Sequence, residues 1–281
     1  MQRQNRIALI PGACRPIGRA IARKFAMAGS HLILPIFDWP ESIAEMISEF
    51  DKSNYSYTVF NVDLRKKEDI DELTSQIKKR FGYIDFLINN IERGGMPVLH
   101  GSYDHPHNRD QWDRELDTTL KAKWLLYRSC VPLIQHRDGA AIVNVSSIGA
   151  ITGRSGPAAL FFSDGYSAAN RAVNIFTETW AREMSPAVRV NEVMLGLINH
   201  RHGRNTRGWE MLSESEKKDI ENTPLLKRTG SPEEVAEFIF FIATKATYLT
   251  GSTLLMDGGF TLGHGTTPPM PPTMLDNDSC P

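Results

Sequence analysis

Short apolar runs alternate along the chain with longer amphipathic stretches. The apolar runs have the length of buried strands, and apolar residues spaced three and four apart mark the amphipathic stretches as helices. The predicted strands are 7–10, 32–37, 57–62, 86–88, 141–145, 189–194 and 254–256. The predicted helices are 18–29, 43–50, 70–81, 112–134, 166–184 and 232–244, with a further helix over 209–220. Strands separated by helices of this length predict parallel β-α-β units and a three-layer α/β fold with a doubly wound sheet.

The domain organisation follows from the distribution of linker residues. Up to residue 263 the chain contains no Pro-, Gly- or Ser-rich linker and no motif that repeats at a fixed period, so 1–263 is predicted to be a single domain. The remaining stretch, 264–281, contains five prolines and few apolar residues. We expect this tail to be disordered or to lie against a neighbouring subunit.

Charge and composition exclude several classes of protein. The 281 residues include 32 Lys and Arg against 33 Asp and Glu, which gives a net charge of −1. This balance argues against binding to nucleic acid or to a membrane surface by bulk electrostatics. Three cysteines are too few for a disulfide framework. No apolar run approaches the roughly 20 residues of a membrane-spanning helix, and the first residues do not resemble a signal peptide. The sequence therefore predicts a soluble, cytoplasmic protein.

A glycine-containing turn follows the first predicted strand. It runs from Pro11 to Gly18, with Gly12 near its start and the first helix after it. Glycines at a strand-to-helix turn let the backbone approach a pyrophosphate, and the free N–H groups at the start of the helix favour a negative charge. The pattern favours a dinucleotide site that includes Gly12, Ile17 and Gly18. A tight turn without a ligand is the alternative.

Further motifs occur in a fixed order after this turn. They are Asp63-Leu64, Asn89-Asn90, the run 142–147 that ends in Ser147, Tyr166 at a helix start, Arg189-Val-Asn191, Pro232-Glu-Glu-Val235 and Asp257-Gly-Gly259. Together with the glycine turn, this set resembles the short-chain dehydrogenase/reductase family over residues 6–262. The resemblance implies a Rossmann-type fold and an oxidoreductase that uses a nicotinamide dinucleotide on a small-molecule carbonyl or alcohol. It also implies a homodimer or a homotetramer.

The resemblance implies where the dinucleotide would bind. Contacts would come from the glycine turn, the strand ends and the loop after the sixth strand, namely Gly12, Arg15, Ile17, Gly18, Asp63, Leu64, Asn89, Tyr166, Gly196 and Ile198. The position at which family members hold the ribose of NAD with an acidic residue is Ile36 in this chain. Arg15 is a base at a position where NADP-preferring members often carry one. The sequence therefore favours NADP(H) over NAD(H), and a solvated Arg15 is the alternative.

Three residues depart from the family pattern in this groove. Pro16 replaces the middle glycine of the turn and removes an N–H donor. Glu92 replaces a glycine on the floor of the groove, where a carboxylate would repel a pyrophosphate unless it points to solvent. Asp38 comes two residues after the usual acidic position and is equally placed to cap the next helix. These departures leave open the alternative that no dinucleotide binds.

The catalytic residues of the family are matched only in part. Ser147 and Tyr166 match the residues that hold the substrate oxygen and transfer the proton. Asn170 stands where the family has a lysine that binds the nicotinamide ribose and lowers the pKa of the tyrosine, and Thr119 replaces the helix asparagine. Because Asn170 carries no charge, we expect Tyr166 to act as an acid for carbonyl reduction and to be a poor base for alcohol oxidation.

Loops near the expected pocket carry further reactive side chains. Phe161 and Phe162 lie in an extended stretch before Tyr166, and we expect them to form an apolar lid or a subunit contact. Histidines and arginines occur in the neighbouring loops, at His100, His105, His107, His200, His202, Arg201, Arg204 and Arg207. The histidine spacing matches no recognised ligand pattern, so no metal site is predicted. The arginines could attract an anionic substrate or simply be solvated.

Three functions stay open on this basis. The first is NADP(H)-dependent reduction of a small or cyclic carbonyl, with Tyr166 as the proton donor and Ser147 orienting the oxygen. The second is a catalytically silent relative that keeps the fold for binding or regulation, which the departures in both sites favour. The third reuses the pocket without hydride transfer, as halohydrin dehalogenases do, and the retained glycines of the turn count against it.

Overall fold

Seven parallel strands form one sheet at the centre of the protein, in the order β3-β2-β1-β4-β5-β6-β7. The structure is a computed structural model and describes residues 6–91, 110–155, 162–199 and 212–263. The strands are β1 Ile7–Leu9, β2 His31–Ile36, β3 Tyr57–Asn61, β4 Phe86–Asn89, β5 Ala140–Ser147, β6 Val188–Leu195 and β7 Thr253–Met256. The strand order changes direction between β1 and β4, so the carboxyl ends of these strands open the crevice in which such folds bind ligands.

Helices cover both faces of the sheet. They are α1 Pro16–Met27, α2 Pro40–Lys52, α3 Lys67–Arg80, α4 Gln111–Glu115, α5 Ala122–Ile134, α6 Gly149–Thr152, α7 Asp164–Met184, α8 Glu214–Asn222 and α9 Pro232–Thr244. One buried cluster joins α1, α2 and α9 to the sheet, and a second joins α3, α5 and α7 to its other face. The predicted three-layer α/β fold in a single domain is therefore confirmed.

The long helix predicted over 112–134 is not a regular α-helix. A π-helical segment, Leu116–Lys121, joins α4 to α5 without a break in the chain direction. Hydrophobic periodicity does not reveal this widened turn, because the apolar positions on each side of it still recur at helical spacing. Single π-turns within helices are frequent at functional sites. The short helix α6 was not predicted. In place of the helix predicted over 209–220, which is described only from residue 212, α8 begins at Glu214 and ends at Asn222.

Pro35 lies inside β2 without breaking the strand. Ile33 O accepts a hydrogen bond from Ile10 N on the β1 side, and Ile36 O accepts one from Val62 N on the β3 side. Successive residues of a strand present their polar groups to alternate sides, so the ring nitrogen of Pro35 faces the β1 side. Strand β1 has already ended at Leu9, and the missing N–H of Pro35 therefore costs no hydrogen bond of the ladder.

Aromatic packing fixes the direction of α1. The ring of Phe25 is fully buried and lies 5.3 Å from the ring of Phe86 in β4 and 5.1 Å from that of Phe240 in α9. Aromatic pairs at these distances add to the hydrophobic energy of burial. The contact holds α1 against β4 and α9 and leaves its first turn at the carboxyl edge of the sheet.

Candidate active site and dinucleotide groove

The glycine turn is closed by contacts that only glycine allows. Gly12 has a φ of +72°, and a Cβ on it would lie 2.5 Å from the carbonyl oxygen of Asn90. A Cβ on Gly18 would lie 2.2 Å from the carbonyl oxygen of Gly12. Neither contact is tolerable for a real side chain. The turn after β1 is thus packed directly on the backbone that follows β4, at the point where the strand order changes direction.

Helix α1 begins at Pro16, two residues before the predicted start. Proline suits the first helical position, because its fixed φ fits the helix and its missing N–H would have no partner there. The missing N–H donor of Pro16 therefore costs the fold little. The first intrahelical bond joins Arg19 N to Arg15 O, so the amides of Ile17 and Gly18 precede it. The side chain of Ile17 is buried, so only its backbone can face a ligand.

Arg15 lies at the start of α1 and is held on the side of α2. Its guanidinium carbon lies 4.3 Å from the centroid of the Trp39 ring, and Nη1 donates to Ser42 Oγ at 3.4 Å. Trp39 is the N-cap of α2, and no side chain caps this helix. The alternative role of Asp38 as a helix cap is therefore wrong. A guanidinium held in this way keeps its charge at the mouth of the groove between β1 and β2.

Asp63 follows β3 and is engaged by a neighbouring arginine. Its carboxylate accepts hydrogen bonds from Arg65 Nε and Nη2, each at 2.8 Å. The side-chain hydrogen bonds of Arg65 hold the pKa of the Asp63 carboxyl below its usual value, despite the opposing effect of burial. Leu64 packs on the cluster under α3 and α5. The Asp63 carboxylate is thus paired with Arg65, and the side chain of its neighbour Leu64 packs on the core.

A ladder of buried amides runs from β4 across to α7. Asn89 Nδ2 donates to Asn144 Oδ1 at 3.0 Å, and Asn144 Nδ2 donates to Thr177 Oγ1 at 2.9 Å. All three residues are fully buried. Asn89 Oδ1 has no hydrogen-bond partner among the described residues. A buried acceptor without a partner is costly unless a ligand or water satisfies it, which points to a ligand group near this strand end.

The loop after β6 is fixed by two close approaches. A Cβ on Gly196 would lie 2.6 Å from Cα of Asp257, so this position admits only glycine. Ile198 forms an isolated parallel bridge with Gly230, and its Cδ1 lies 2.9 Å from where a Gly230 Cβ would be. These contacts tie the loop to the chain before α9 and to the turn after β7.

Ser147 and Tyr166 are brought together through Gly149. The Gly149 amide donates to Ser147 Oγ at 3.2 Å, and a Cβ on Gly149 would lie 3.2 Å from Tyr166 Cε1. The Phe162 ring stacks on the Tyr166 ring at 5.7 Å with an angle of 10° between the planes. Tyr166 and Phe162 are both buried. Ser147 at the end of β5 and Tyr166 in α7 thus lie on either side of Gly149, and the Tyr166 ring belongs to a buried apolar cluster that includes Phe162.

The start of α7 is held by two residues that the sequence analysis missed. Ser163 is the N-cap and accepts a hydrogen bond from Tyr166 N at 3.1 Å. The Ser163 hydroxyl donates to the fully buried Glu115 carboxylate of α4 at 2.6 Å. A serine three residues before the Tyr166 amide is a helix-start signal that could have been recognised. Glu115 could not, because nothing in its sequence neighbourhood marks it as buried.

Asn170 and Thr119 are both fully buried, and they lie on α7 and on the π-helical segment that packs against it. Asn170 Nδ2 donates to the carbonyl oxygen of Tyr166, one turn earlier in the same helix, at 3.0 Å. Asn170 Oδ1 and Thr119 Oγ1 have no hydrogen-bond partner among the described residues, and both side chains are fully buried. Thr119 lies in the π-helical segment, which packs on α7. Asn170 and Thr119 thus each retain a buried oxygen without a partner among the described residues.

Two buried charged residues complete this region and were not singled out from the sequence. Lys123 in α5 is fully buried, and its Nζ donates to Ile91 O at 2.5 Å and to Thr119 O at 3.1 Å. Glu192 in β6 is fully buried and accepts hydrogen bonds from Ser146 Oγ and from Thr253 Oγ1. Burial raises the pKa of the Glu192 carboxyl, and those hydrogen bonds and the charge of Lys123 oppose the rise.

Several predicted positions lie outside the described residues. They are Glu92, Phe161, the loop histidines and arginines at 100–107 and 200–207, and the tail 264–281. In the part of the chain that the structure does describe, no three His, Cys, Asp or Glu side chains are grouped as a metal would require. No helix within those same ranges combines the length and the apolar character needed to cross a membrane.

Comparison with known proteins decides the family. A family model described as enoyl-(acyl carrier protein) reductase matches residues 12–261, from the glycine turn to the segment after β7. The solved short-chain dehydrogenase/reductase from Brucella melitensis has 26% sequence identity to the chain and a TM-score of 0.75, over 92% of this chain and 97% of that one. The chain belongs to the short-chain dehydrogenase/reductase family.

Curated members of the family align along nearly the whole chain. The 3-oxoacyl-[acyl-carrier-protein] reductase FabG of Thermotoga maritima is 30% identical over 267 residues, which cover 93% of this chain and all of that protein. Human dehydrogenase/reductase SDR family member 4 is 29% identical over 257 residues, 91% of this chain and 87% of its own length. The NAD-dependent glycerol dehydrogenase of Listeria innocua is 28% identical over 261 residues, 92% of this chain and 94% of its own.

The residues of the groove fit the nicotinamide dinucleotide that this family uses. The backbone of Gly12 and Gly18 forms a cradle at the start of α1 that any Cβ would fill. Asn89 Oδ1, a buried acceptor without a partner among the described residues, lies at the end of β4 beside Asn90, whose carbonyl oxygen packs on this cradle. Pro16 does not obstruct the helix start, because it occupies the first helical position. The departures in the turn are therefore compatible with a bound dinucleotide.

Proposed function

We propose that this protein is an NADP(H)-dependent reductase of a small or cyclic carbonyl, with Tyr166 as the proton donor and Ser147 orienting the substrate oxygen. The observation that carries the proposal is the contact chain from Ser147 Oγ through the Gly149 amide to the ring of Tyr166. Ser147 Oγ and the edge of the Tyr166 ring lie on the two sides of Gly149, and both residues are buried. The glycine cradle of α1 opens at the carboxyl edge of the sheet, where β5 ends at Ser147.

The chemistry of the proposal is divided between the cofactor and the chain. When bound, the dinucleotide supplies a hydride to the carbonyl carbon. Ser147 donates a hydrogen bond to the carbonyl oxygen, and Tyr166 transfers its phenolic proton to that oxygen as the alcohol forms. Solvent then returns a proton to Tyr166. The stacked Phe162 shields the phenol from bulk water, which strengthens each of these interactions.

Two features support reduction and NADP(H) over the alternatives. The Thermotoga maritima relative, aligned over its whole length, is named a 3-oxoacyl-[acyl-carrier-protein] reductase, and this name supports carbonyl reduction. Arg15 is held by Trp39 and Ser42 at the side of the groove where β2 ends in Ile36 rather than in an acid. A fixed guanidinium suits a ribose phosphate and gives no advantage to a ribose hydroxyl.

The proposal includes a homodimer or homotetramer in the cytoplasm. Large apolar side chains are exposed on the helices that flank the site, with Trp112 40%, Trp124 44% and Ile175 60% exposed. An apolar surface of this kind on a single chain is typical of a subunit contact. Light scattering of the purified protein is expected to give two or four times the mass of the 281-residue chain, and a monomer would contradict this part of the proposal.

The first test is direct binding of NADPH and NADH, measured by the change in nicotinamide fluorescence. We expect tighter binding of NADPH. A panel of 3-oxoacyl thioesters, cyclic ketones and small diketones is then followed by loss of NADPH absorbance. If neither dinucleotide binds to the folded oligomer, the reductase proposal fails and a silent scaffold replaces it.

The second test isolates the proton donor. Tyr166→Phe is expected to lower kcat by about 10²–10⁴-fold, because the phenolic proton is lost, and to weaken NADPH binding far less than it lowers kcat. Tyr127→Phe is the matched control, since Tyr127 is an equally buried tyrosine whose hydroxyl donates to Glu183 at 2.7 Å. A fall in kcat of similar size in both variants would show that packing is affected rather than proton transfer.

A further inference from the structure

We propose that Lys123 of α5 supplies the active site with the buried positive charge that Asn170 of α7 cannot provide. The proposal rests on the proposed reductase function, and it concerns a residue that lies 47 positions before Asn170 in the chain. Asn170 in α7 stands where the family has a lysine, and the buried Lys123 lies on α5. The positive charge of the site then comes from α5 instead of from α7.

The first support is the burial of Lys123. Lysine is almost never fully buried unless its charge is compensated. Here the side chain has no exposed area, and its Nζ donates to two backbone carbonyls, Ile91 O at 2.5 Å and Thr119 O at 3.1 Å. Side chains of a helix lean towards its N-terminus, and this brings the ammonium from position 123 back to the level of Thr119.

The position of those two carbonyls is the second support. Ile91 directly follows Asn90, whose own carbonyl oxygen packs on the glycine cradle at Gly12. Thr119 lies in the π-helical segment that packs on α7, the helix of Tyr166 and Asn170. A π-turn shifts the register of the residues after it, and this one ends at Lys121, two residues before Lys123. The ammonium therefore lies between the dinucleotide groove and the helix of the proton donor.

Unpaired buried acceptors give the third support. Asn89 Oδ1, Thr119 Oγ1 and Asn170 Oδ1 are buried, and none has a hydrogen-bond partner among the described residues. They lie on β4, on the π-helical segment and on α7. The Lys123 ammonium contacts two of these regions, the π-helical segment at Thr119 O and the chain that follows β4 at Ile91 O. Acceptors without donors lower the potential around them, which favours a nearby cation.

Other titratable groups on the surrounding elements set the electrostatic balance. They are Glu115 on α4, Tyr166 on α7 and Glu192 on β6, with Tyr127 and Cys130 further along α5. The charge of Lys123 lowers the pKa of the Glu192 carboxyl and so reaches β6 on the far side of β5. Lys123 could serve only to compensate the charge of Glu192. The test therefore has to separate that role from an effect on Tyr166.

The role proposed for Lys123 is electrostatic. When Tyr166 gives its phenolic proton to the carbonyl oxygen, a phenolate remains until solvent returns a proton. A nearby ammonium stabilises the phenolate and makes the phenol a stronger acid. Lys123 thus acts through Tyr166 and through the ribose side of the groove, as a positioning and charge-supplying residue.

The decisive experiment removes the lysine at position 123 and then introduces one at position 170. Lys123→Val is expected to lower kcat by about 10²-fold and to raise the upper pKa of the kcat profile by about one unit. In Lys123→Val/Asn170→Lys, we expect kcat within about 10-fold of the wild type and the upper pKa restored. Lys121→Val is the matched control, because Lys121 is two residues away, exposed, and paired with Asp117. It should leave both quantities unchanged.

A readout without turnover keeps the inference testable if the carbonyl substrate is not found. The ionisation of Tyr166 is followed by tyrosinate absorbance, as the difference between each variant and the same variant carrying Tyr166→Phe. Lys123→Val is expected to raise the midpoint of this ionisation, and the double swap to lower it again. NADPH affinity should fall in Lys123→Val and recover in the double swap. Failure of the reductase function would leave these ionisation shifts in place.

Two results would overturn the proposal. If Lys123→Val loses activity but Lys123→Val/Glu192→Gln recovers it, Lys123 serves only to neutralise Glu192. If Lys123→Val leaves both the Tyr166 ionisation and the pH profile unchanged in a folded protein, its ammonium does not act on the site. Should Lys123→Val not fold, Lys123→Met keeps the length of the side chain and removes only the charge, and the same outcomes apply to it.

Discussion

The guanidinium of Arg15 lies over the indole ring of Trp39, 4.3 Å from the ring centroid. This contact holds a positive charge at the entrance of the groove, where the strand that would carry an acid for NAD ends in Ile36. Arg15→Ala is therefore expected to weaken NADPH binding by about 10–100-fold, the loss of one charge-assisted hydrogen bond to a phosphate. NADH binding should change less than about threefold, and fluorescence titration measures both.

Lys24→Ala is the control for this variant, because Lys24 is a cation of the same helix that pairs with Glu237 and lies outside the turn. An equal loss of NADPH and NADH affinity in Arg15→Ala would contradict a role in phosphate recognition. It would show instead that Arg15 only supports the shape of the turn.

Gly149 sets the position of the Tyr166 ring. A methyl group added there would lie 3.2 Å from Tyr166 Cε1 and 3.3 Å from Phe162 Cγ, so both rings must shift. Gly149→Ala should lower kcat by about 10-fold, because proton transfer depends on alignment. It should also cost about 1–3 kcal/mol of unfolding free energy through overpacking. Steady-state kinetics and urea unfolding test the two effects separately.

The control for Gly149→Ala is Gly153→Ala. Gly153 has a φ of +54° and no neighbour within 4 Å of an added Cβ. That variant is expected to lose stability through backbone strain and to keep its kcat. If Gly153→Ala lowers kcat as strongly as Gly149→Ala, the contact with the Tyr166 ring is not the cause.

Ser163 connects the start of α7 to the buried Glu115. Ser163→Ala removes the cap that Tyr166 N uses and the donor that satisfies the carboxylate. A loss of about 1–2 kcal/mol of unfolding free energy is expected, together with a several-fold fall in kcat. Ser231→Ala removes an N-cap with the same geometry from α9, and it should reduce stability without lowering kcat. A similar kcat in both variants would show that Ser163 has no specific effect on the active site.

Glu192 makes the stability of the protein depend on pH. Burial raises the pKa of its carboxyl above the ordinary value of 4.5, so the folded state prefers the protonated form. This contribution to stability is fully present below that ordinary value and is lost as the pH rises through the raised one. Glu192→Gln stays neutral, so its stability relative to the wild type is expected to increase with pH above about 5.

Urea unfolding of both proteins between about pH 5 and 8 measures this difference. Glu45→Gln is the control, since Glu45 is 69% exposed in its side chain and should show no such trend. A constant difference between Glu192→Gln and the wild type over that range would contradict a raised pKa.

Most of the fold could be predicted from periodicity and turn residues. Every predicted strand was found within two residues of its bounds, because buried parallel strands leave short apolar runs that solvent-facing segments do not contain. The helix starts were less accurate. The first helix was predicted to start at Gly18, although Pro16 is the first residue of α1. The π-helical segment gave no signal, because a single widened turn does not change the overall pattern.

The sequence by itself determined the order of the strands and helices and the glycine turn, since each depends on residues that are local or ordered along the chain. The roles of Ser147 and Tyr166 were implied by the resemblance of the motifs to a known family. The sequence also revealed that Asn170 lacks a charge. Only the tertiary structure decided that Lys123 in α5 and Glu192 in β6 are buried and that Gly149 lies between Ser147 and Tyr166. The physical reason is that burial and through-space contact depend on how distant segments pack, and no local pattern marks a lysine on a helix as one that faces the sheet.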